Sequence, residues 1–460
     1  MNKRFYGLKC VITIFLVLSM CLSLTIPAQA VNANNALAVG IDVSKHNQGI
    51  NWGQVAQSGV SFAFIKAGST NKGIDPYFDA NMKGAQKAGI KTGVYLYSYA
   101  TNVEQAQNEA NLLVSWLSNY TVNFPVVYDV ENSCMYGLSS GDIQAMMSSF
   151  CNTVSAAGYY PMVYSYKNLY EGKIGNVGYD KWVAQYDDSC TYGGSNIAFW
   201  QSSSSASIAG IPTGVDFDYQ YKDYSAVIIP DGFTQRNGQT MFFTGYKMQR
   251  GWVSFNDTKY YLDANGFLQK GTWYADESGT YYLTPADGSI ARGQFAEDGQ
   301  NYYFDANGVR MTGFIGLETG IYFYAPDTGI MVKNWYNDGV NTYYFDNKTG
   351  CMYVGPNTIQ KKNYYFNEKG ILQSGPIVRE DGQKYYYNPS DGGAMMFGWI
   401  NDGTNIYYAA KDGHMVTGIN QIDKKSYYFN ENCILQVNQT LVLDGITYLA
   451  DAEGALTTVQ

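Results

Sequence analysis

Asp129 and Glu131 stand two residues apart in Phe124-Pro-Val-Val-Tyr-Asp-Val-Glu-Asn132. Side chains of an extended segment alternate faces, so the two carboxylates project to one side, about 7 Å apart along the chain. The segment before them is too apolar for an exposed edge and places the pair on a buried strand. Acids so paired suit glycoside cleavage, in which one carboxylic acid protonates the leaving oxygen while an anionic partner stabilises an oxocarbenium-like transition state. Two further acids fall at expected strand ends, Asp42 in Val39-Gly-Ile-Asp-Val-Ser44 and Asp216 in Gly214-Val-Asp-Phe-Asp218, where each alone also reads as a turn residue. Other chemistries are short of parts. His46 is the one histidine before residue 414, no His/Glu spacing suits zinc, and Gly68-Ser-Thr70 has no phosphate-loop context. No metal and no cofactor is expected.

The elements that must position these acids alternate between strand-like and helical patterns from about residue 37 to 221. Eight apolar runs (37–43, 61–67, 91–97, 124–130, 160–164, 181–185, 197–201 and 214–219) are the number a closed β/α barrel requires. Asp75-Pro76 and Thr101-Asn-Val-Glu104 read as helix starts, and Ala106, Ala110, Leu113, Val114 and Leu117 share one helical face. The gaps between the last three strands are too short for full helices, so an irregular final third is expected. A barrel gathers its strand C-termini at one mouth, where all four acids are placed.

From about residue 242 the chain repeats every 20 to 22 residues, marked by aromatic pairs such as Tyr260-Tyr261, Tyr302-Tyr303, Tyr343-Tyr344 and Tyr427-Tyr428, most of them followed by a glycine. Each unit reads as a short hairpin with a Gly or Asn-Gly turn, and because a lone hairpin is marginal in water the units must cover one another in an all-β solenoid. The domain reading is residues 36–221 for the barrel, 222–240 for a linker and 241–460 for the repeats.

Residues 1–30 carry Lys3 and Arg4, an apolar run and Ala28-Gln-Ala30, the pattern of a cleaved export signal, so a secreted, wall-associated protein is expected. Met20 before Cys21 argues against a lipid anchor. No later run spans a bilayer, and a net charge of −9 disfavours nucleic acid and anionic membranes as partners. Five scattered cysteines remain beyond the signal, of which Cys134 and Cys151 could pair.

Taken together, Asp42-Val-Ser44, Phe62-Ala-Phe-Ile-Lys-Ala-Gly68, Gly93-Val-Tyr-Leu-Tyr-Ser-Tyr99, Pro125-Val-Val-Tyr-Asp-Val-Glu131, Trp182-Val-Ala-Gln-Tyr186, Trp200-Gln201 and Val215-Asp216 resemble the family-25 glycoside hydrolases. These are lysozymes that cut between N-acetylmuramic acid and N-acetylglucosamine in peptidoglycan. The resemblance implies an irregular, flattened TIM-like β/α barrel with Glu131 as general acid. It also implies Asp129 beside that acid, orienting the substrate's N-acetyl group or stabilising charge, and Asp42 and Asp216 completing an acidic cluster. Tyr97, Tyr99, Trp182 and Trp200 are candidates for stacking on sugar faces, with core packing the alternative for the two tryptophans. Many family members have Thr-Glu-Gly where this chain has Gly68-Ser-Thr70, so its local substrate contacts differ. The tail resembles the aromatic cell-wall-binding repeats of choline-binding proteins. Only Trp252, Trp273, Trp335 and Trp399 supply indoles, with Phe295, Phe314, Ile377 and Ile419 read as the equivalent slots elsewhere, so full choline cages are not expected at every repeat. Peptidoglycan is the expected substrate, and wall polysaccharide, teichoic acid or choline the expected ligand of the repeats, with carbohydrate or teichoic acid on tyrosine-lined grooves the better fit. The competing readings are an adhesin with a vestigial barrel and a chitinase-like enzyme.

Overall fold

The computed structural model describes residues 31–459, so the expected export signal lies outside them. Eight strands close a barrel: β1 (Ala38–Val43), β2 (Phe62–Ser69), β3 (Lys91–Tyr97), β4 (Val126–Asp129), β5 (Pro161–Tyr166), β6 (Lys181–Ala184), β7 (Ile197–Ala206) and β8 (Val215–Gln220). Neighbours from β1 to β7 are parallel, whereas β8 runs antiparallel to both β7 and β1. That reversal decides how one acid reaches the mouth. Asp216 lies at the start of β8, and the reversed strand sets it beside Asp42, its register partner near the end of β1. Strand C-termini alone are expected there from sequence; Asp216 arrives from an N-terminus.

Helices α1 (Trp52–Gln57), α2 (Phe78–Lys87), α3 (Val103–Leu117) and α4 (Ser140–Ala156) cover the earlier strands, and no α-helix follows β6 or β7 within the barrel, as the short gaps require. Two helix starts differ from expectation. α2 begins after Tyr77 rather than at Pro76, because Asp75 turns its carboxylate to the N–H groups of Lys45 and Tyr77 at 3.1 and 3.0 Å. α3 is capped by Asn102, which accepts from the Gln105 N–H at 2.9 Å, while the Gln105 side chain returns to Thr101 N–H at 2.8 Å. The reciprocal box therefore uses Gln105, not Glu104.

Strand alternation sorts the core into two layers. Phe62, Phe64, Phe124, Trp182 and Phe199 fill one, with Phe64 stacked on Trp182 at 4.6 Å. Ile41, Ile65, Val94, Leu96, Val163 and Trp200 belong to the other, which also takes in Leu113, Met147 and Phe150 of α3 and α4. A Cβ at Gly93 would come within 2.4 Å of the Phe64 ring, so only glycine lets that ring lie flat against β3. None of the described cysteines is bridged, which removes the Cys134–Cys151 pairing.

Beyond β8 the chain stays with the barrel. Tyr224 is buried, parallel to Phe199 at 5.9 Å and edge-on to Phe124 at 5.8 Å. Lys247 donates to Ser118 O at 2.8 Å and Arg250 to Ala156 O at 2.9 Å, while Arg236 donates to Gly158 O at 2.8 Å. Ser118 and Ala156 end α3 and α4, where unpaired carbonyls and the helix dipole favour cations. Residues through Gln269 accordingly form one compact unit, and a second begins at Lys270.

The second unit is a succession of short antiparallel hairpins, two of which gain a third strand, Ala394–Met395 and Leu456–Thr458. Four of the hairpins turn on two residues that both have positive φ, Asp298-Gly299 (48° and 73°), Gln360-Lys361 (48° and 69°), Asp423-Lys424 (47° and 68°) and Asp444-Gly445 (52° and 82°), the mirror-image turn that matches strand twist. The glycines after the aromatic pairs serve elsewhere. Gly308 sits in the connection between hairpins at φ +81°, where a Cβ would meet Ile290 Cδ1 at 2.6 Å. Connections bond backward, Arg310 N–H to Thr280 O at 2.7 Å and Met331 N–H to Asn301 O at 2.8 Å, so each hairpin is tied to another. Register also corrects the slot assignment. Opposite the second aromatic of each pair stand Trp273, Gln294, Phe314, Trp335, Pro356, Pro376, Trp399 and Ile419, so Gln294 and Pro376, not Phe295 and Ile377, occupy tryptophan positions.

Candidate active site

β4 ends at Asp129, one turn of the pleat before Glu131, although Val130 N–H still bonds to Tyr164 O at 2.9 Å and keeps the segment extended. Asp129 is 3% exposed and Glu131 only half-buried, so the pair runs from the barrel interior to its rim. Asp129 Oδ1 has no hydrogen-bond donor among the described residues. Burial first, and then the Glu131 charge, push the Asp129 carboxyl far above its usual range, opposed by the ammonium of Lys66. Burial likewise raises Glu131, opposed first by Lys66 and then by a hydrogen bond from Tyr166. Glu131 thus keeps its proton to higher pH than an exposed glutamate while staying open to a ligand.

Across the mouth Asp42 and Asp216 face each other as register partners on β1 and β8, and each acts on the other's titration. Asp42 is the more buried and is pushed up furthest, by desolvation and then by Asp216 and Asp218; Asp216 rises to about 6. Of the two, Asp42 thus keeps a proton to the higher pH. Gln201 fixes this arrangement, donating to Asp42 Oδ2 at 2.6 Å while its own carbonyl accepts from Tyr164 at 2.9 Å and Tyr186 at 3.0 Å. Asp218, fully buried beneath, accepts from Trp182 Nε1 at 2.7 Å.

All four sequence-predicted acids are brought together at one mouth. Tyr97 and Tyr99 lie half-buried beside them with ring centroids 5.2 Å apart, and the Tyr97 hydroxyl accepts from Asn132 at 3.2 Å. The two tryptophans are not surface platforms. Trp182 is 1% exposed, sandwiched in the interior against Phe64 and Tyr164. Trp200 is also 1% exposed and points to the other layer, stacked on Tyr219 at 5.2 Å. Neither ring has a face free for a sugar; for both, core packing is the structural role.

The family model for glycosyl hydrolases family 25 matches residues 41–211, which contain Asp42, Asp129 and Glu131. Uncharacterized protein YegX of Escherichia coli (strain K12) is 32% identical over 193 residues, spanning 39% of this chain and 68% of its own. The chain belongs to glycosyl hydrolase family 25. The autolytic lysozyme of Clostridium acetobutylicum is 27% identical across 39% of this chain and 54% of its own length. Among solved structures, the modular autolysin LytC of Streptococcus pneumoniae is 28% identical over 40% of this chain and 46% of that one, with a TM-score of 0.37. In the tail a choline-binding repeat model matches residues 353–399, and a putative cell wall binding repeat model matches 251–266, 295–309 and 398–415.

The family-25 barrel also holds a buried acid that sequence reasoning missed. Glu109 on α3 is 1% exposed and accepts from Ser98 Oγ at 2.6 Å, Tyr128 at 2.9 Å, Tyr99 N–H at 2.9 Å and Thr70 at 3.1 Å. It clamps the bend after β3 that presents Tyr97 and Tyr99. Its signal was its place on the apolar face between Ala106 and Leu113, where an unpaired charge is not tolerated.

Proposed function

We propose that the chain is a secreted N-acetylmuramidase, hydrolysing the β-1,4 bond between N-acetylmuramic acid and N-acetylglucosamine and held on the wall by its repeats. The observation that carries the reading is the split among the acids: a proton-holding Glu131 at the rim and a buried Asp129 with one oxygen unpartnered. Glu131 donates its proton to the leaving glycosidic oxygen. Asp129 Oδ1 accepts from the N-acetyl N–H of the sugar, setting the acetyl oxygen against the anomeric carbon as charge develops there. Asp216, with Asp42 as its proton-holding partner, adds negative charge facing the oxocarbenium-like state. The test is reducing-end release from purified peptidoglycan and from chitin. Release from peptidoglycan alone is expected; release from chitin alone makes it a chitinase, and wall sedimentation with no release at all makes it an adhesin.

The Lys66 ammonium pulls both Asp129 and Glu131 down. Lys66→Met lets Glu131 keep its proton longer, so the alkaline limb of the kcat/KM profile moves to higher pH. An unmoved limb assigns that limb to another group.

Three hairpins of the second unit build the same aromatic box. Trp273 meets Tyr282 and Tyr302 at 5.0 and 4.9 Å, Trp335 meets Tyr344 and Tyr364 at 5.0 and 5.1 Å, and Trp399 meets Tyr408 and Tyr427 at 5.1 and 4.9 Å. The rings cross steeply over a buried Phe304, Phe366 or Phe429, and the three indoles stay 39–40% exposed. Such walls suit a quaternary ammonium and favour choline over a glycan as the repeat ligand. Replacing all three tryptophans by alanine is expected to abolish retention on a choline matrix, where multivalency makes losses multiply; unchanged retention places the ligand elsewhere.

A further inference from the structure

A cavity of about 230 Å³ opens beside the acidic mouth, with Lys45, Lys66, Lys72, Asp75, Tyr97 and Tyr99 among its lining residues. Lys45 comes from the turn after β1, and Lys72 from the tip of a hairpin in which β2 folds back on Gly73–Ile74. That fold-back needs Gly68, whose φ is +149° and whose Cβ would strike Gly73 O at 2.2 Å. Two loops thus set cations around one hollow, in a chain whose net charge is −9.

The lysines have no carboxylate of their own. None of Lys45, Lys66 and Lys72 forms an ion pair among the described residues. The one acid in the lining, Asp75, already accepts backbone N–H groups from Lys45 and Tyr77 on its two oxygens. Lys45 and Lys72 are exposed and Lys66 half-buried, and three lysines converging on one cavity without an ion pair suit an anion brought by a ligand. The position says which ligand. Lys66 sits 4.6 Å over the Tyr97 ring, both line the hollow, and the Tyr97 hydroxyl is bonded to Asn132 next to Glu131, so the hollow adjoins the mouth. Its occupant must be carried on the sugar bound there.

We infer that this pocket receives an anionic substituent of the glycan next to the scissile bond, with the carboxylates of the muramic-acid peptide as the occupant. The inference rests on the muramidase reading for its substrate. Lys45 and Lys72 are positioning residues: they hold the substituent and so set which glycan units are cut, leaving the chemical step alone.

The test compares the full chain with a Lys45→Ser/Lys72→Ser variant on intact peptidoglycan, on glycan stripped of peptide by an amidase, and on walls freed of phosphate by hydrofluoric acid. The variant is expected to raise KM about 3- to 10-fold on peptide-bearing glycan, the scale of two exposed charge contacts. The kcat should stay within twofold, the difference should vanish on peptide-free glycan, and Lys45→Arg/Lys72→Arg should restore KM. A KM penalty that survives peptide removal and vanishes with phosphate removal supports the anion pocket and makes wall phosphate its occupant. Equal KM values on every substrate overturn it. Calorimetric binding of a soluble muramyl peptide to both proteins gives an answer independent of turnover: failure of hydrolysis with binding lost only in the variant sinks the muramidase reading and keeps the pocket, while equal binding sinks the pocket.

Discussion

Glu131→Gln is expected to lower kcat/KM on peptidoglycan by at least about 100-fold, and up to about 10,000-fold, the range lost when a positioned general acid is removed. Glutamine keeps the size of the side chain but holds no transferable proton. The loss should fall on kcat, because Asp129 and Tyr97 still bind the glycan, and wall sedimentation should be unchanged because the repeats are untouched. Since Glu131 is half-buried rather than internal, Tm should move little. A variant that keeps most of its activity assigns proton donation to another group, for which Asp42, the proton holder across the mouth, is the alternative.

Truncation gives the second large effect. A chain ending at Gln269 should match the barrel stability of the whole protein, whereas one ending at Tyr221 should lose about 10 °C or more in Tm. The shorter chain loses Tyr224 from the aromatic cluster of Phe124 and Phe199, a deletion worth about 3–5 kcal/mol for a buried aromatic. For a unit of this size each kcal/mol corresponds to about 2–4 °C. It also loses Lys247, Arg250 and Arg236, which satisfy carbonyls at the ends of α3 and α4. Thermal melts of the two chains decide it; equal midpoints would make residues 222–269 a passive connection.

The acid pair was legible because burial and strand alternation leave a local trace: Phe124-Pro-Val-Val-Tyr128 announces the strand and the i, i+2 spacing aims both carboxylates inward. The reversal of β8 was not read, yet a trace existed. Only eight residues separate Ala206 from Val215, and a parallel crossover needs about a dozen or more. Gln201 and Glu109 each interrupt an apolar pattern, and both turn out to hold the site from behind. Trp182 and Trp200 could not be resolved from sequence, since an indole serves core and sugar alike and only the packing of Phe64 and Tyr219 against them decides. In the tail, glycine spacing suggested the turns, but the hairpin turns fall on other residues, and register alone separates Gln294 and Pro376 from the neighbouring apolar residues.

The central claim is a muramidase whose proton donor is Glu131, and the most direct measurement is the identity of the new reducing end. Digested peptidoglycan is reduced with borohydride and its termini are identified by mass spectrometry, for the wild-type chain and for Glu131→Gln. Muramitol termini are expected from the wild type and almost none from the variant. Glucosaminitol termini, or equal muramitol from both proteins, would contradict that claim.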